Sequence, residues 1–206
     1  MSQMPADGQP SDLQAYTSLL REQILTSAEV KRELADRLDD AAAVAVQLVE
    51  AYRSGRKVIL FGNGGSAADA QHIAAELTGH FYLDRPPLPA LALTVDTSAL
   101  TAIGNDYGFE QVYARQVQAL GVSGDVAIGL TTSGSSRNVV AGLEAAREVG
   151  CVTVALTGRE GGRAGEVADL CVRVPSDDTP RIQEAHTVLG HSWAEIIEAA
   201  MFGPAA

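Results

Sequence analysis

The sequence predicts an α/β fold, a doubly wound parallel sheet flanked by helices and preceded by two long N-terminal helices. Three observations carry that expectation. Five short apolar runs of strand length alternate with amphipathic stretches of helical length after residue 56. Strands separated by helices pair in parallel through right-handed crossovers. The first 55 residues, by contrast, carry apolar residues at helical spacing and no strand-like run.

Residues 1–10 mix Gly, Pro, Ser and Asp without periodicity and read as a flexible tail. Ser11-Asp12-Leu13-Gln14 reads as a capping box, with Leu13, Tyr16, Leu20 and Ile24 following at helical spacing. Thr26-Ser27-Ala28-Glu29 reads as a second cap. It opens a long helix with Leu34, Leu38, Ala41, Ala45, Leu48 and Val49 on one stripe, ended by Gly55. So much apolar helix cannot all face one small sheet; part of it meets another subunit or packs on the chain's own core. Strands are expected at 57–61, 89–95, 125–130, 151–156 and 169–174, and helices at 66–79, 97–103, 109–120, 136–149 and 181–201. Arg85-Pro86-Pro87-Leu88-Pro89 is a stiff extended linker into the second strand. Residues 11–206 thus form a single domain: 11–55 the N-terminal helices, 56–206 the α/β core with its C-terminal helix.

Composition narrows the function. Lys and Arg number 15 against 26 Asp and Glu, a net charge of −11 with no local basic cluster. Such a surface repels a nucleic-acid backbone. No signal pattern and no apolar stretch of membrane-spanning length is read, so a soluble, cytoplasmic protein is expected, with neither nucleic acid nor membrane as partner. Cys151 and Cys171 each sit at a strand-like run and read as small buried side chains in a reducing compartment, rather than as a disulfide or a metal pair.

Two loops carry most of the chemistry. Phe61-Gly62-Asn63-Gly64-Gly65-Ser66 and Thr131-Thr132-Ser133-Gly134-Ser135-Ser136 each follow an apolar run and open a helical one. Glycine lets the backbone approach a ligand, and a helix N-terminus offers free N–H groups to an anion. The second loop adds five hydroxyls, donors that bring no charge. Together they point to a phosphorylated small molecule. Gly62-Asn63-Gly64-Gly65-Ser66-Ala67 also fits a loose dinucleotide fingerprint, with Asp96 after the second strand, but the interval is long. No Lys follows either loop, so the Walker pattern is absent.

His72 and Glu76 stand four apart on the helix leaving the first loop, on one face. That spacing suits two ligands of one metal, or a base with its orienting partner, and equally an ordinary polar face. The last helix carries Gln183, Glu184, His186 and His191. Gln183 and His191 lie about 12 Å apart along a straight helix. They cannot share an ion without a helix break or a second subunit, and His186 is an alternative working histidine. His80 follows a helix end at Gly79, where a cation is favoured by the dipole. Asn105 and Asp106 either cap a helix beginning near Phe109 or bind sugar hydroxyls. Trp193 reads as core.

Taken in order, Gly62-Asn63-Gly64-Gly65-Ser66, Ala75-Glu76-Leu77-Thr78-Gly79, Gly104-Asn105-Asp106-Tyr107-Gly108-Phe109, Thr132-Ser133-Gly134, Leu156-Thr157-Gly158 and Arg181-Ile182-Gln183-Glu184 resemble the sugar isomerase (SIS) domain, and within it the phosphoheptose isomerases. The resemblance runs from about residue 12 to the C-terminus. It implies an aldose–ketose isomerase that converts sedoheptulose 7-phosphate to D-glycero-D-manno-heptose 7-phosphate through an enediol, the first step of activated heptose biosynthesis. It further implies a homotetramer with active sites at subunit contacts and one zinc per subunit. His72, Glu76, Gln183 and His191 fall on the family's metal positions, which selects His191 over His186. Asn63, Gly64, Gly65, Ser66, Glu76, Asn105, Asp106, Thr131, Thr132, Ser133, Ser136 and Gln183 fall on or beside its substrate positions. Glu76 is implied as base and His191 as acid. One departure is Pro180, where some relatives carry an acid. Two rivals accompany this reading: an isomerase of another phosphosugar, and a non-enzymatic tetrameric scaffold of the same fold that binds the replication initiator protein. The scaffold pattern lacks the Glu and His that stand here as Glu76 and His191.

Overall fold

The computed structural model describes residues 10–203; of the tail expected at 1–10, residues 1–9 lie outside the described residues and Pro10 already belongs to the first helix. Its elements run α1 (Pro10–Ala35), α2 (Asp39–Arg53), β1 (Val58–Gly62), α3 (Gly65–Thr78), β2 (Ala90–Ala92), α4 (Thr97–Tyr107), a 3-10 turn (Phe109–Gln111), α5 (Ala114–Leu120), β3 (Val126–Thr131), α6 (Arg137–Glu148), β4 (Val152–Thr157), α7 (Gly162–Val167), β5 (Leu170–Arg173) and α8 (Thr179–Phe202). The strands form one parallel sheet in the order β2-β1-β3-β4-β5. This is the doubly wound α/β arrangement that the sequence predicts.

Side chains alternate across the sheet, as the strand period requires. Val58 and Leu60 of β1 join α2, α3 and α8 in one core, where Leu48, Ile73, Ile182 and Trp193 are buried. Ile59 and Phe61 turn to the other face and pack on α5, α6 and α7 through Val117, Leu143 and Ala164. Trp193 is in the core as expected, and its indole N–H donates to Ala41 O at 2.9 Å. Cys151 is buried, Cys171 half-buried, and both are free thiols.

Several boundaries differ from the sequence reading, for identifiable reasons. α1 runs unbroken through Thr26-Ser27-Ala28-Glu29 and ends at Ala35. Ser27 does not cap a helix there; its hydroxyl donates to Glu184 of α8 at 2.5 Å. Ser11 likewise lies inside α1 rather than at its cap. The second helix therefore begins at Asp39, leaving Leu34 buried but Leu38 exposed. α4 extends through Gly104, Asn105 and Asp106 to Tyr107. Asp96 starts it by accepting from Ala99 N at 2.9 Å, the work of an N-cap rather than of a ribose-binding acid. Gly108, at φ +86°, ends it, and the expected helix at 109–120 splits into the 3-10 turn and α5. β2 is only three residues long, and the short α7 has too little apolar periodicity to be read in advance.

His186 is fully buried under the C-terminal end of β4. Its Nε2–H donates to Thr157 O at 3.2 Å, which fixes the tautomer, and Nδ1 has no partner among the described residues. Burial lowers its pKa to about 4, partly opposed by that hydrogen bond. It is therefore a structural histidine. The unfolded chain takes up this proton near pH 6.5, the folded chain only near pH 4. Above pH 6.5 the group is neutral in both states. As the pH falls from 6.5 to 4 the unfolded state gains, and stability drops by about 3 kcal/mol. Urea unfolding across this window should show that loss in the parent protein and a flatter profile in His186→Phe.

Candidate active site

In the order β2-β1-β3-β4-β5 successive strands are added to one side of β1 and then, from β3 on, to the other, which opens a crevice at the carboxyl ends of β1 and β3. The two loops singled out in the sequence are the ones that follow β1 and β3. Gly64 caps α3 at φ +57°, ψ −121°, a conformation open to glycine. Ser66 is buried behind this turn, and its N–H donates to Asn63 O at 3.0 Å. In the second loop Thr131 Oγ1 lies 3.0 Å from Ser136 Oγ and 3.4 Å from Ser133 Oγ, while Ser135 donates to Ser133 Oγ at 3.0 Å. Ser136 is the N-cap of α6, yet its side chain makes no capping bond. The hydroxyls thus face one another around the helix N-terminus, a neutral cradle suited to an anion. Gly134, at φ +67°, permits a very close approach to the loop after β4, and Ala164 N donates to Gly134 O at 2.8 Å.

The loops are tied together by a pair of amides. Asn63 Nδ2 donates to Asn138 Oδ1 and Asn138 Nδ2 donates to Asn63 Oδ1, both at 2.8 Å. Asn138 is a partner that sequence reasoning missed, since it looks like any polar residue in the first turn of a helix. Tyr113 adds a donor to Gly62 O, and burial pushes its phenol up to about 12.

α3 and α8 lie side by side. Gly65 meets Gln183, Asp69 meets Thr187, Ile73 meets Gly190, and His72 meets His191. The partners occur in the same order along both helices, so the two run parallel. Their far ends bring His72, Glu76 and His191 together, with one ligand atom from each within 4.8 Å of the others. The two Nε2 atoms are 2.7 Å apart, and His72 Nε2 is 3.5 Å from Glu76 Oε1. Two imidazole nitrogens and a carboxylate oxygen form a donor set able to hold a metal ion. Asp69, one turn before His72, supports this: burial raises its pKa, opposed by Thr187 and the nearby His72, and its buried Oδ2 has no partner among the described residues. Carboxylates in such positions commonly orient metal-binding imidazoles. Spacing on α3 was the signal that could have found Asp69.

Gln183 is not with the triad. Its amide lies on Gly65, about two turns back along α8, and α8 is unbroken from Thr179 to Phe202. Asn105 and Asp106 stand exposed in the last turn of α4, hydrogen-bonded to each other at 2.7 Å, and they cap no following helix. Thr132 pairs with Thr179 of α8 at 3.4 Å. No helix among the described residues is long and apolar enough to cross a membrane.

A SIS-domain family model matches residues 20–158. Phosphoheptose isomerase of Aneurinibacillus thermoaerophilus is 55% identical over 159 residues, 77% of this chain and 80% of the relative. That of Geobacter metallireducens is 56% identical over 173 residues, 84% of this chain and 90% of the relative. The chain belongs to the SIS-domain phosphoheptose isomerase family. Solved structures agree. Phosphoheptose isomerase GmhA of Neisseria gonorrhoeae superposes with a TM-score of 0.84 at 42% identity, covering 89% of this chain and 99% of that one. The Francisella tularensis phosphoheptose isomerase gives 0.85 at 39% identity, covering 88% and 97%. The two long N-terminal helices expected from the sequence are α1 and α2.

Gly190 allows the α3–α8 approach, because a Cβ there would stand 2.5 Å from Ile73 Cγ1. Gly190→Ala should push the helices apart and destabilise the fold by about 1–3 kcal/mol. Denaturant melts should show the loss.

Proposed function

We propose that this protein converts sedoheptulose 7-phosphate into D-glycero-D-manno-heptose 7-phosphate, the first step towards activated heptose. The observation that carries the reading is the convergence of His72, Glu76 and His191 at the crevice helices of a chain about half identical to phosphoheptose isomerases. The scaffold alternative has no use for that triad, and the relatives described above are isomerases, so it is not favoured.

The phosphate lies against the hydroxyls of Thr131, Thr132, Ser133 and Ser136 and the N-terminus of α6. Asn63, Gly64, Gly65 and Ser66 line the opposite wall mainly through backbone, since the Asn63 amide is held by Asn138 and the Ser66 side chain is buried. Gln183 borders Gly65 and binds the sugar there. Asn105 and Asp106 contribute sugar contacts from the exposed end of α4. The chemistry is a proton transfer between neighbouring carbons. Glu76 takes a proton from C1 of the ketose, and the C–H electron pair becomes the C1–C2 double bond of an enediol. His191 moves a proton from the C1 oxygen to the C2 oxygen. Glu76 then returns its proton to C2, leaving the aldehyde at C1. A half-buried carboxylate has two oxygens, one beside His72 and one for the substrate. Zinc fits the donor set of His72, Glu76 and His191 and, when bound, would polarise the sugar carbonyl. A fourth position for Gln183 would need a break in α8 or donation from a neighbouring subunit.

Following sedoheptulose 7-phosphate by NMR with zinc-supplemented protein tests the reading directly. Aldose signals should appear with the parent and be absent with Glu76→Gln, whose fold should stay intact. No conversion by folded, zinc-loaded parent protein would refute the assignment, and full turnover by the variant would remove Glu76 as base.

The homotetramer and a cytoplasmic location belong to the same proposal. Leu13, Tyr16, Leu20 and Ile24 on α1 are each more than 60% exposed, and α4 has no buried residue. Apolar faces of that extent favour burial between subunits. Light scattering at micromolar concentration should give four times the chain mass; a monomer would contradict it.

A further inference from the structure

A histidine ring turns about a broad sp³–sp² torsion, so its plane is set by what packs on it. His191 has two ring neighbours. His72 meets it edge-on, with centroids 4.9 Å apart and planes at 73°. Phe81 lies along its face, with centroids 5.5 Å apart and planes at 28°. Turning the imidazole out of this plane would bring its edge against the Phe81 ring.

Phe81 belongs to the connection between α3 and β2, a kind of segment that is mobile unless tied down. Here it is tied by one buried carboxylate. Glu198 is 2% exposed and stands two turns beyond His191 on α8. Its Oε1 accepts from Phe81 N at 2.8 Å, and its Oε2 from Tyr82 N and Leu83 N at 2.8 and 2.9 Å. Arg85 Nε donates to Oε1 at 2.9 Å. Burial pushes the Glu198 pKa up, but the three N–H groups and Arg85 outweigh it and hold the carboxyl below its ordinary range. The rest of the Arg85 guanidinium donates to the carbonyls of Glu76, Leu77, Gly79 and Pro86 at 2.9–3.2 Å. It thereby closes the C-terminal turn of the helix that carries His72 and Glu76, where a cation is favoured. One buried ion pair thus grips both triad helices and the segment between them.

We propose that Phe81, fixed by Glu198 and Arg85, is a positioning residue for His191: its ring sets the imidazole plane that turns Nε2 towards His72 and Glu76. The proposal rests on the isomerase reading of the triad. Phe81 offers no ligand atom to the donor set of His72, Glu76 and His191, and its role is to act through His191. A leucine there keeps apolar volume and loses the flat face, whereas a tyrosine keeps the face.

The experiment compares parent, Phe81→Leu and Phe81→Tyr for turnover of sedoheptulose 7-phosphate and for zinc affinity in competition with a chromophoric chelator. Phe81→Leu should lower kcat about tenfold with KM within about twofold, since the sugar phosphate is held elsewhere. Zinc affinity should fall about tenfold. Phe81→Tyr should restore both. A leucine variant equal to the parent in kcat and zinc affinity would overturn the proposal, as would a tyrosine variant as impaired as leucine. If the parent turns over no sedoheptulose 7-phosphate, the isomerase reading fails, while the zinc competition still decides whether Phe81 positions His191.

Discussion

The close parallel packing of α3 and α8 is the constraint on which the site depends. One helix leaves the first ligand loop and the other closes the chain, so nothing local brings them together. Gly190 removes the side chain that would hold them apart at Ile73, and Gly65 does the same at Gln183. Once they touch, residues more than a hundred positions apart fall into register: Asp69 with Thr187, His72 with His191. The apolar side chains beneath, Ile73, Leu77, Leu189 and Trp193, join the core on that face of the sheet. Site geometry and core packing are therefore one contact.

The anion cradle has a different origin. It follows from topology: the change of side between β1 and β3 leaves their outgoing loops side by side with nothing between them. The Asn63–Asn138 amide pair spans that gap, and the glycines at 134 and 161 let the loops after β3 and β4 interlock. The proposed binding by neutral hydroxyls and helix-terminal N–H groups suits a protein with a net charge of −11, because it would need no lysine or arginine at a phosphate. The proposed phosphate cradle and the His72–Glu76–His191 triad then share α3, which starts at the first loop and carries His72 and Glu76 two to three turns on.

Local signals with more than one reading failed in instructive ways. Thr26-Ser27-Ala28-Glu29 has the composition of a cap, but Ser27 spends its hydroxyl on Glu184 and the helix continues. Asp96 could have bound a ribose and instead starts α4. Gly104-Asn105-Asp106 has weak helix propensity, yet Gly108 at positive φ is what stops the chain. In the first two cases a side chain had two possible partners, and distance along the sequence did not say which was nearer.

The sequence by itself determined the alternation of strands and helices, the two loops at strand ends, and the pairing of His72 with Glu76. These are written in short periods and spacings that neighbouring residues enforce. The motif resemblance had already favoured His191 over His186; only the tertiary structure decided that His191 stands within reach of both, that Gln183 stays at Gly65, and that Glu198 holds Phe81 against the imidazole. Each of those is a contact between elements far apart in the chain. Such contacts are fixed by which faces pack and how closely, and a single helix with several polar residues does not carry that information.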